Sequence, residues 1–463
     1  MKIPFFLKIA LAALPTLPMS LAADEPASLS RILFGSCLKE AETSPIFETI
    51  LAHEPELFLF LGDNIYADTS DMAVMRAKYD VLAATPKFAE LMKACPVHAT
   101  WDDHDYGIND GGAEFEKRDE AQRVFVDFWG DPADSPRRSR PGIYEAKIYG
   151  EAGTRVQVIM LDTRYFRGPL KKGEKRVGGV YYPNEDKSVT MLGAAQWAWL
   201  EEELRKPAEV RLIGSSIQCV SEASGHETWA NLPFERQRLF DLIGKTKANG
   251  VIILSGDRHW AELSVAREAV PYPIYDLTSS SFNQIHPRGT PTENRYRESP
   301  KTWHRENFGE VGIDWKGDET VVKLLVRDLE GAVVIEREVP LRELRVGAVA
   351  AASPEVIPVK LRSDCPDYLW IKVSPSAEYE DSFAIRVEVD SEDGGSSRVS
   401  GRLKLEWAGI SADSIKNSSY ENGVHSFGFG LNRRAFEGSE LLVTARGGKV
   451  FRIDLTSPDF RQH

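Results

Sequence analysis

Residues 57–66, LFLFLGDNIY, contain five consecutive apolar residues followed by Gly62, Asp63 and Tyr66. A short, continuous apolar run of this kind is typical of a strand that is buried on both faces, as in a parallel sheet. The run ends where a carboxylate begins, and parallel sheets bind ligands just beyond the carboxyl ends of their strands. This stretch therefore predicts an α/β fold with a functional site at that edge.

Four other stretches repeat the arrangement of an apolar run followed by polar or charged groups. They are RILFGSC at 31–37, PVHATWDDHD at 96–105, VQVIMLDTR at 156–164 and GVIILSGDRH at 250–259. Their candidate site residues are Cys37, Asp103, His104, Asp162, Arg164, Asp257 and His259. Thiolate, phenolate, imidazole and carboxylate groups together favour a metal site, so we expect one shared pocket that holds metal ions.

Length and charge limit the classes of protein that remain. A chain of 463 residues is long enough for two domains. The formal net charge of -13 argues against general nucleic-acid binding, which requires a positive surface. An anionic substrate would need positive charge inside the pocket, from metal ions or from arginines.

The first 22 residues resemble a secretory signal peptide, with Lys2 and Lys8 before and within an apolar stretch and small residues at Ser20 and Ala22. A membrane anchor fits less well because Pro15 and Pro18 interrupt a short apolar run. No later segment is apolar enough to span a bilayer. We expect an exported protein, periplasmic or extracellular, and cleavage after Ala22.

Four cysteines, Cys37, Cys95, Cys219 and Cys365, would enter an oxidising compartment. If Cys37 is a metal ligand, at most one disulfide can form among the other three, and the sequence does not select the pair.

The pattern of apolar residues divides the chain into two domains. Apolar strands alternate with helical segments from residue 30 to 345, and helices are expected at 44–53, 71–94, 113–129, 196–206 and 233–250. Residues 356–463 alternate apolar and polar positions and predict a separate all-β, sandwich-like domain. Three long loop-like segments are expected to form the rim of the pocket and to set substrate choice, at 131–142, 167–189 and 281–310.

The residues suggest individual roles. Asp63 can bridge two cations, and Tyr66 can reach the same cluster as a phenolate. Asp103 is a candidate ligand with His104 directed at the substrate, while Asn109 is a candidate hard-cation ligand or a support for one. Asp257 and His259 would share one face if strand geometry continued to them.

Two questions stay open at the level of these residues. Arg164 could contact a phosphate or hold Asp162 in place. The adjacent acids of WDDHD could alternatively act as a carboxylate dyad, as in glycoside hydrolysis. A dyad would leave Cys37, Tyr66 and His259 without a role.

Taken together, FGSC, GDNIY, WDDHD, LDTR and GDRHW resemble, in order, the motifs of the alkaline phosphatase D (PhoD-like) branch of the metallophosphatase superfamily, also called calcineurin-like phosphoesterases. The resemblance spans most of residues 30–310. It implies a four-layer core, in which two packed sheets are flanked by helices, and a site with one ferric iron and calcium ions.

By motif, the resemblance assigns Cys37, Asp63, Tyr66 and His259 as iron ligands, with Asp63 bridging. Asp103 and Asp257 resemble the calcium ligands, Asn109 has only a loose counterpart, and His104 matches the histidine of the family's Asp-His-acid motif. The chain departs from the family in lacking a twin-arginine signal, in carrying its β domain after the core, and in having Asp105 where a glutamate is also common.

The function that follows from this resemblance is metal-dependent hydrolysis of phosphate monoesters, diesters or both, by attack of a metal-bound hydroxide or oxide. The substrate would be a small phosphate ester or an extracellular phosphodiester. The alternative is a non-catalytic exported protein that uses the same core for metal binding or adhesion. Oligomeric state is left open.

Overall fold

A computed structural model describes most of residues 28–347 and the strands that follow them. The described residues are 28–347 without 43, 177–178, 223–224, 287–293 and 300–301, together with the strands between 355 and 454. The expected signal peptide at 1–22, most of residues 348–355, which the sequence predicts to be a linker, and Cys365 lie outside the described residues. Within them, Cys37, Cys95 and Cys219 are free thiols.

Strands and helices alternate through the first part of the chain. In chain order they are β1 (Arg31–Gly35), α1 (Ile46–Ala52), β2 (Leu57–Leu61), α2 (Met72–Ala83), α3 (Pro86–Ala94), β3 (Val97–Thr100), α4 (Asp103–Tyr106), α5 (Arg118–Phe128), β4 (Glu145–Tyr149), β5 (Val156–Met160), β6 (Lys171–Arg176), β7 (Gly179–Tyr182), α6 (Gly193–Leu204), β8 (Val210–Ser215), α7 (Pro233–Thr246), β9 (Val251–Ser255), β10 (Glu262–Ala266), β11 (Ile274–Thr278), β12 (Asn307–Asp314), β13 (Val321–Asp328) and β14 (Val333–Pro340).

These strands form two six-stranded mixed sheets. The first has the order β14-β13-β12-β1-β2-β3 and the second β10-β11-β9-β8-β5-β4. Strands β1, β2 and β3 are parallel to one another, as are β5, β8, β9 and β11. Antiparallel strands flank each parallel set.

Side-chain alternation along β2 explains how the layers pack. Leu57, Leu59 and Leu61 join the core that also contains the second sheet and the buried faces of α6 and α7. Phe58 and Phe60 point the other way, into a separate core formed with helices α1, α2, α3 and α5. Because both faces of the strand are covered, all five residues are fully buried, which explains the continuous apolar run. The α/β class and the four layers are confirmed.

Two predicted elements differ from the structure. The helix expected at 71–94 is divided into α2 and α3 because Pro86 occupies the first turn of α3 and Thr85 before it is extended. The segment expected to be a loop at 167–189 contains the antiparallel hairpin of β6 and β7.

The C-terminal part consists of strands in two sheets, as far as the structure describes it. They are β15 (Glu355–Val356), β16 (Tyr368–Pro375), β17 (Phe383–Val389), β18 (Gly395–Gly401), β19 (Lys404–Ala408), β20 (Ile415–Glu421), β21 (Val424–Gly430), β22 (Glu440–Thr444) and β23 (Val450–Asp454). One sheet has the order β15-β23-β22-β19 and the other β18-β17-β16-β21-β20. The domain boundaries at 345 and 356 stay a prediction.

Candidate metal centre

The site residues follow the carboxyl ends of parallel strands in both sheets, and four of them have a left-handed backbone. Cys37 follows β1 with φ 60°, Asp63 follows β2 with φ 50°, and after β9 Asp257 and His259 have φ 66° and φ 58°. Non-glycine residues adopt this conformation at a cost of about 1–3 kcal/mol each and do so mainly at functional sites. Strand β9 ends at Ser255, so sharp turns, rather than continued strand alternation, direct the last two side chains.

The first group of candidate ligands combines a thiol, a carboxylate, a phenol and an imidazole. Sγ of Cys37 lies 3.4 Å from Oδ2 of Asp63, and the Tyr66 hydroxyl lies 3.3 Å from the same oxygen. The Tyr66 hydroxyl is also 2.9 Å from Nε2 of His259. Ligand atoms of Cys37, Asp63 and His259 all lie within 4.8 Å of one another, which is close enough to hold one ion.

Ser280, which follows β11, supports this group from the side of the second sheet. Its Oγ lies 3.1 Å from Sγ of Cys37 and accepts a hydrogen bond of 2.8 Å from the backbone N–H of His259. One hydroxyl therefore links the ends of β1 and β9.

The second group consists of carboxylates. Asp63, Asp102, Asp103 and Asp257 bring one oxygen each within 4.8 Å of the others. Three buried oxygens, Oδ1 of Asp63, Oδ2 of Asp102 and Oδ1 of Asp103, have no hydrogen-bond partner among the described residues. Buried carboxylate oxygens normally have partners, and four acids this close repel one another unless cations offset them. The donor set therefore fits bound cations.

The ionisation properties of the first group are consistent with metal ligation. Burial raises the pKa of the Cys37 thiol to about 12 and raises the pKa of Tyr66 well above its usual value, so both need a cation to ionise near neutral pH. Burial, with the nearby charges of His286 and Arg258, lowers the pKa of His259 to about 3. His259 is thus neutral and has a lone pair available for a metal.

Burial acts on the carboxylates in the same direction as on the thiol and the phenol. The pKa of Asp63 is raised well above its usual value by burial and by the charges of Cys37 and Asp103. Burial also raises the pKa of Asp257 to about 6, although Arg258, 3.0 Å away, opposes the increase.

His104 stands beside both groups at the mouth of the site. Its Nδ1 lies 2.8 Å from Oδ1 of Asp68, and its ring stacks on Tyr66 with centroids 4.2 Å apart. Burial lowers its pKa, but the negative charge of Asp63, the hydrogen bond to Asp68 and the charge of Asp103 outweigh that effect and raise the pKa to about 11. With Nδ1 bound by Asp68, Nε2 is left as the proton donor of a protonated ring.

Arg164 is fully buried beneath the carboxylates. Its Nε donates to Asp102 at 2.6 Å and its Nη1 to Glu227 at 2.8 Å. This geometry favours the positioning of Asp102 over contact with a substrate, and direct contact with a phosphate stays a prediction.

Asp162 has a structural role. Its Oδ1 accepts hydrogen bonds of 2.9 Å from Trp101 Nε1 and from the backbone N–H groups of Arg164 and Tyr165, and its Oδ2 accepts one from Ile143. All of its hydrogen bonds are thus internal to the fold.

Asn109 is exposed, and its role as a ligand or support stays a prediction. Its neighbour Asp110 is closer to the site, because the Asp110 backbone N–H donates to Oδ2 of Asp103 at 2.6 Å. Asp103, Asp110 and Glu227 form a further group of acids within 4.8 Å.

Sequence reasoning did not assign roles to Asp68, Asp102 or Glu227. Adjacency to known candidates could have indicated the first two, since Asp68 follows GDNIYA and Asp102 begins the DDHD run. Glu227 carries no such signal because long-range packing alone brings it to the site. Ser280 does carry one, since the serines at 279–281 follow a strand end and could line the pocket, although a strand-end turn explains them equally well.

Known proteins resemble this chain in fold and, over part of its length, in sequence. No curated protein sequence matches the chain significantly. The solved structure of PhoD matches it with a TM-score of 0.51 and 18% identity over 68% of this chain and 72% of that one, which shows the same fold. A dimetal phosphatase from Danio rerio matches with a TM-score of 0.41 and 12% identity over 68% of this chain and 99% of that one.

The sequence model of the PhoD-like phosphatases matches residues 32–307, more than half of the chain. That range contains every candidate ligand from Cys37 to His259. The chain therefore belongs to the PhoD-like phosphatase family and is a metal-dependent phosphatase.

Proposed function

We propose that this protein is an exported phosphoesterase that hydrolyses phosphate monoesters, diesters or both, with one ferric iron and calcium as its metals. The observation that carries the proposal is the position of Asp63. Its Oδ2 faces Cys37 and Tyr66, whereas its buried Oδ1 has no hydrogen-bond partner in the part of the chain that the structure describes. Asp63 also belongs to both ligand groups. One carboxylate that serves two adjacent groups is the arrangement a bridged two-metal site requires.

The two groups differ in the metal that suits them. Thiolate, phenolate and imidazole at Cys37, Tyr66 and His259 favour iron among the biological metals. Carboxylates at Asp103 and Asp257, with Asn109 nearby, favour a hard cation such as calcium. Asp63 would bridge the two.

The residues around the metals would bind, orient and protonate the substrate. Bound cations would neutralise the phosphate oxygens and make water a stronger nucleophile near neutral pH. His104, protonated and oriented by Asp68, would donate from Nε2 to a phosphate oxygen or to the leaving group. Arg164 would hold Asp102, and through it the carboxylate group, in one arrangement.

Replacement of the bridging residue tests the proposal. Metal-loaded wild type should release p-nitrophenol from p-nitrophenyl phosphate or from its bis ester, and Asp63→Asn should reduce kcat/KM more than about a hundredfold, beyond the loss typical for residues that only support metal ligands. A protein with full iron and calcium occupancy that is inactive on a broad panel of phosphate esters would refute it.

Spectroscopy tests the iron assignment separately. Tyrosinate bound to ferric iron should give a purple charge-transfer band, which Tyr66→Phe should remove. Tyr144→Phe is the matched control, because Tyr144 is buried elsewhere, with its ring 4.7 Å from Trp199. A purple band that survives in Tyr66→Phe would contradict the assigned ligand set.

The proposed export rests on the N-terminal sequence. N-terminal sequencing of the mature protein, recovered from periplasm or culture fluid, should begin at Ala23. Recovery of the uncleaved chain from the cytoplasm alone would contradict export. No described helix has both the length and the apolar character required to cross a membrane.

A further inference from the structure

The hairpin of β6 and β7, which we call the basic hairpin (171–176 and 179–182), carries a concentration of positive charge that the phosphatase site does not explain. Residues 171–176, KKGEKR, contain four cationic side chains and one acid in a chain with a formal net charge of -13. Lys171, Lys172 and Lys175 are exposed. None of these three lysines forms a salt bridge within the part of the chain that the structure describes.

Contacts of the second strand place the basic hairpin at the metal centre. The hydroxyl of Tyr181 in β7 donates to Oδ2 of Asp110 at 2.5 Å, and the Asp110 backbone donates to the candidate ligand Asp103. The backbone N–H of Tyr181 donates to the carbonyl of Gly225 at 3.2 Å, two residues before Glu227. The hairpin is therefore anchored to two segments that support the carboxylate group.

The register of the hairpin directs one lysine toward this side. Lys172 pairs with Tyr181 across the two strands, and paired residues project from the same face. Nζ of Lys172 lies 5.7 Å from the centre of the Tyr181 ring, within the range of a cation–π contact. Lys172 thus stands on the face that reaches Asp110 and, through it, the site.

We propose that the basic hairpin binds a second phosphate group of the substrate while the scissile phosphate lies at the metal centre. The preferred substrates would then be phosphate esters that carry at least two phosphates. This inference rests on the proposed phosphoesterase activity and names the substrate class of the same site.

A homologous series of α,ω-alkanediol bisphosphates, each compared with its monophosphate, tests the proposal at every spacing between the two phosphates. Binding to the metal-loaded protein is measured by titration calorimetry, so that the result does not depend on turnover. At one spacing or more, the bisphosphate should bind about fivefold more tightly than the monophosphate, as expected for a few solvent-exposed ion pairs. The preference should weaken as salt is added.

Two triple variants separate the hairpin from the net charge of the protein. Lys171→Gln/Lys172→Gln/Lys175→Gln should remove the bisphosphate preference without changing monophosphate affinity. The matched control is Lys93→Gln/Lys206→Gln/Lys245→Gln, which removes three exposed charges that precede β3, β8 and β9 and so lie at the opposite ends of the strands. It should keep the preference.

The outcomes distinguish this inference from the proposed function. Three results would overturn the inference. The wild type could bind bisphosphates no more tightly than monophosphates at any spacing, the hairpin variant could keep the full bisphosphate preference, or the control variant could lose as much of that preference as the hairpin variant does. None of these results affects hydrolysis of p-nitrophenyl phosphate, which has one phosphate and should be equally fast in the hairpin variant. Failure of the proposed function would instead appear as absence of that hydrolysis.

Discussion

The imidazole of His104 is oriented by one exposed carboxylate, that of Asp68, which also contributes part of the rise in the pKa of the ring. Asp68 contacts Nδ1 with both oxygens, at 2.8 and 2.9 Å. Asp68→Asn removes the negative charge and should lower the pKa of His104 by about one unit or more. His104 can donate a proton at pH values below its pKa, and this ability is lost as the pH rises through that pKa. In a plot of kcat against pH, the alkaline limb should therefore move to lower pH in Asp68→Asn.

Asp71→Asn is the control for this shift. Asp71 lies three residues further along and caps α2 by accepting from the Ala73 N–H at 2.8 Å, so the same charge is removed without a contact to His104. Asparagine also caps helices well. An alkaline limb that moves equally in both variants would show that net charge, and not the contact with Asp68, sets the profile.

The buried guanidinium of Arg164 should matter for stability as well as for the site. Arg164→Met leaves Asp102 and Glu227 buried without their cation, which we expect to cost about 3–5 kcal/mol of unfolding free energy. Arg155→Met removes a partly exposed pair with Glu209 and should cost about 1 kcal/mol or less. Urea unfolding followed by tryptophan fluorescence measures both, and equal losses would refute a special role for burial.

For individual residues, the sequence indicated which side chains are candidate ligands, but it did not predict the contacts that those side chains and their neighbours make. The candidate ligands Cys37, Asp63, Asp103, Asp257 and His259 all occur in groups whose ligand atoms lie close together. The role of Arg164 could not be decided, since its partner Glu227 is 63 residues away and only the folded chain brings them together.

The turn after β2 positions two candidate ligands through one glycine. Gly62 has φ 98°, and a Cβ there would lie 2.5 Å from Cβ of Asp102 and 2.7 Å from its backbone nitrogen. Gly62→Ala therefore adds overpacking, typically about 1–3 kcal/mol, to the strain of a left-handed backbone. It should also reduce metal content, because Asp63 and Asp102 must move apart.

Gly153→Ala separates the two effects. Gly153 has nearly the same φ, 99°, but a Cβ there meets nothing within 4 Å. It should cost about 1 kcal/mol from the backbone alone and leave metal content unchanged. If Gly62→Ala and Gly153→Ala reduce the free energy of unfolding and the metal content equally, the close approach of Gly62 to Asp102 contributes to neither.

Helices and strands were predicted correctly where one pattern of apolar residues dominated a segment. The predictions were wrong where two sequence signals in the same segment conflicted. Strands β1, β2, β5 and β9 coincide with mainly apolar runs, and their ends match the predicted strand ends closely. The α2–α3 break was missed because a helical apolar period continues across Thr85 and Pro86, although proline prevents the backbone from continuing. The β6–β7 hairpin was missed because most residues of β6 are charged and exposed, whereas the predicted strands were apolar.

At the scale of the whole molecule, the two sheets act together on one site. Residues after β1, β2 and β3 of the first sheet meet residues after β9 of the second, so the thiol–phenol–imidazole group and the group of four carboxylates both draw on both sheets. Sequence reasoning predicted a shared pocket from the five strand ends. The pairing of strands into two separate sheets came instead from family resemblance, because apolar runs do not reveal which strands are neighbours.

This arrangement predicts that metals stabilise the fold in a pH-dependent way. Burial raises the pKa of Asp257 to about 6 from 3.8, and raises the pKa of Asp63 and Asp102 as well. In metal-free protein these acids favour the folded state while protonated, and that benefit is lost as pH rises from about 4 through 6. Bound cations remove the penalty on the ionised forms.

The difference in Tm between metal-loaded and chelator-treated protein should therefore be small near pH 4 and grow as pH rises past 6. Scanning calorimetry across this range measures it, and comparison at each pH cancels the titration of groups remote from the site. Asp276→Asn is a useful control, because burial raises the pKa of Asp276 to about 6 as well, yet this acid is outside the ligand groups and accepts from Ser255 and from backbone N–H groups. It should alter the stability of both forms alike and leave the metal-dependent difference intact. A difference in Tm that is independent of pH would mean that repulsion among the carboxylates is not what the metals relieve.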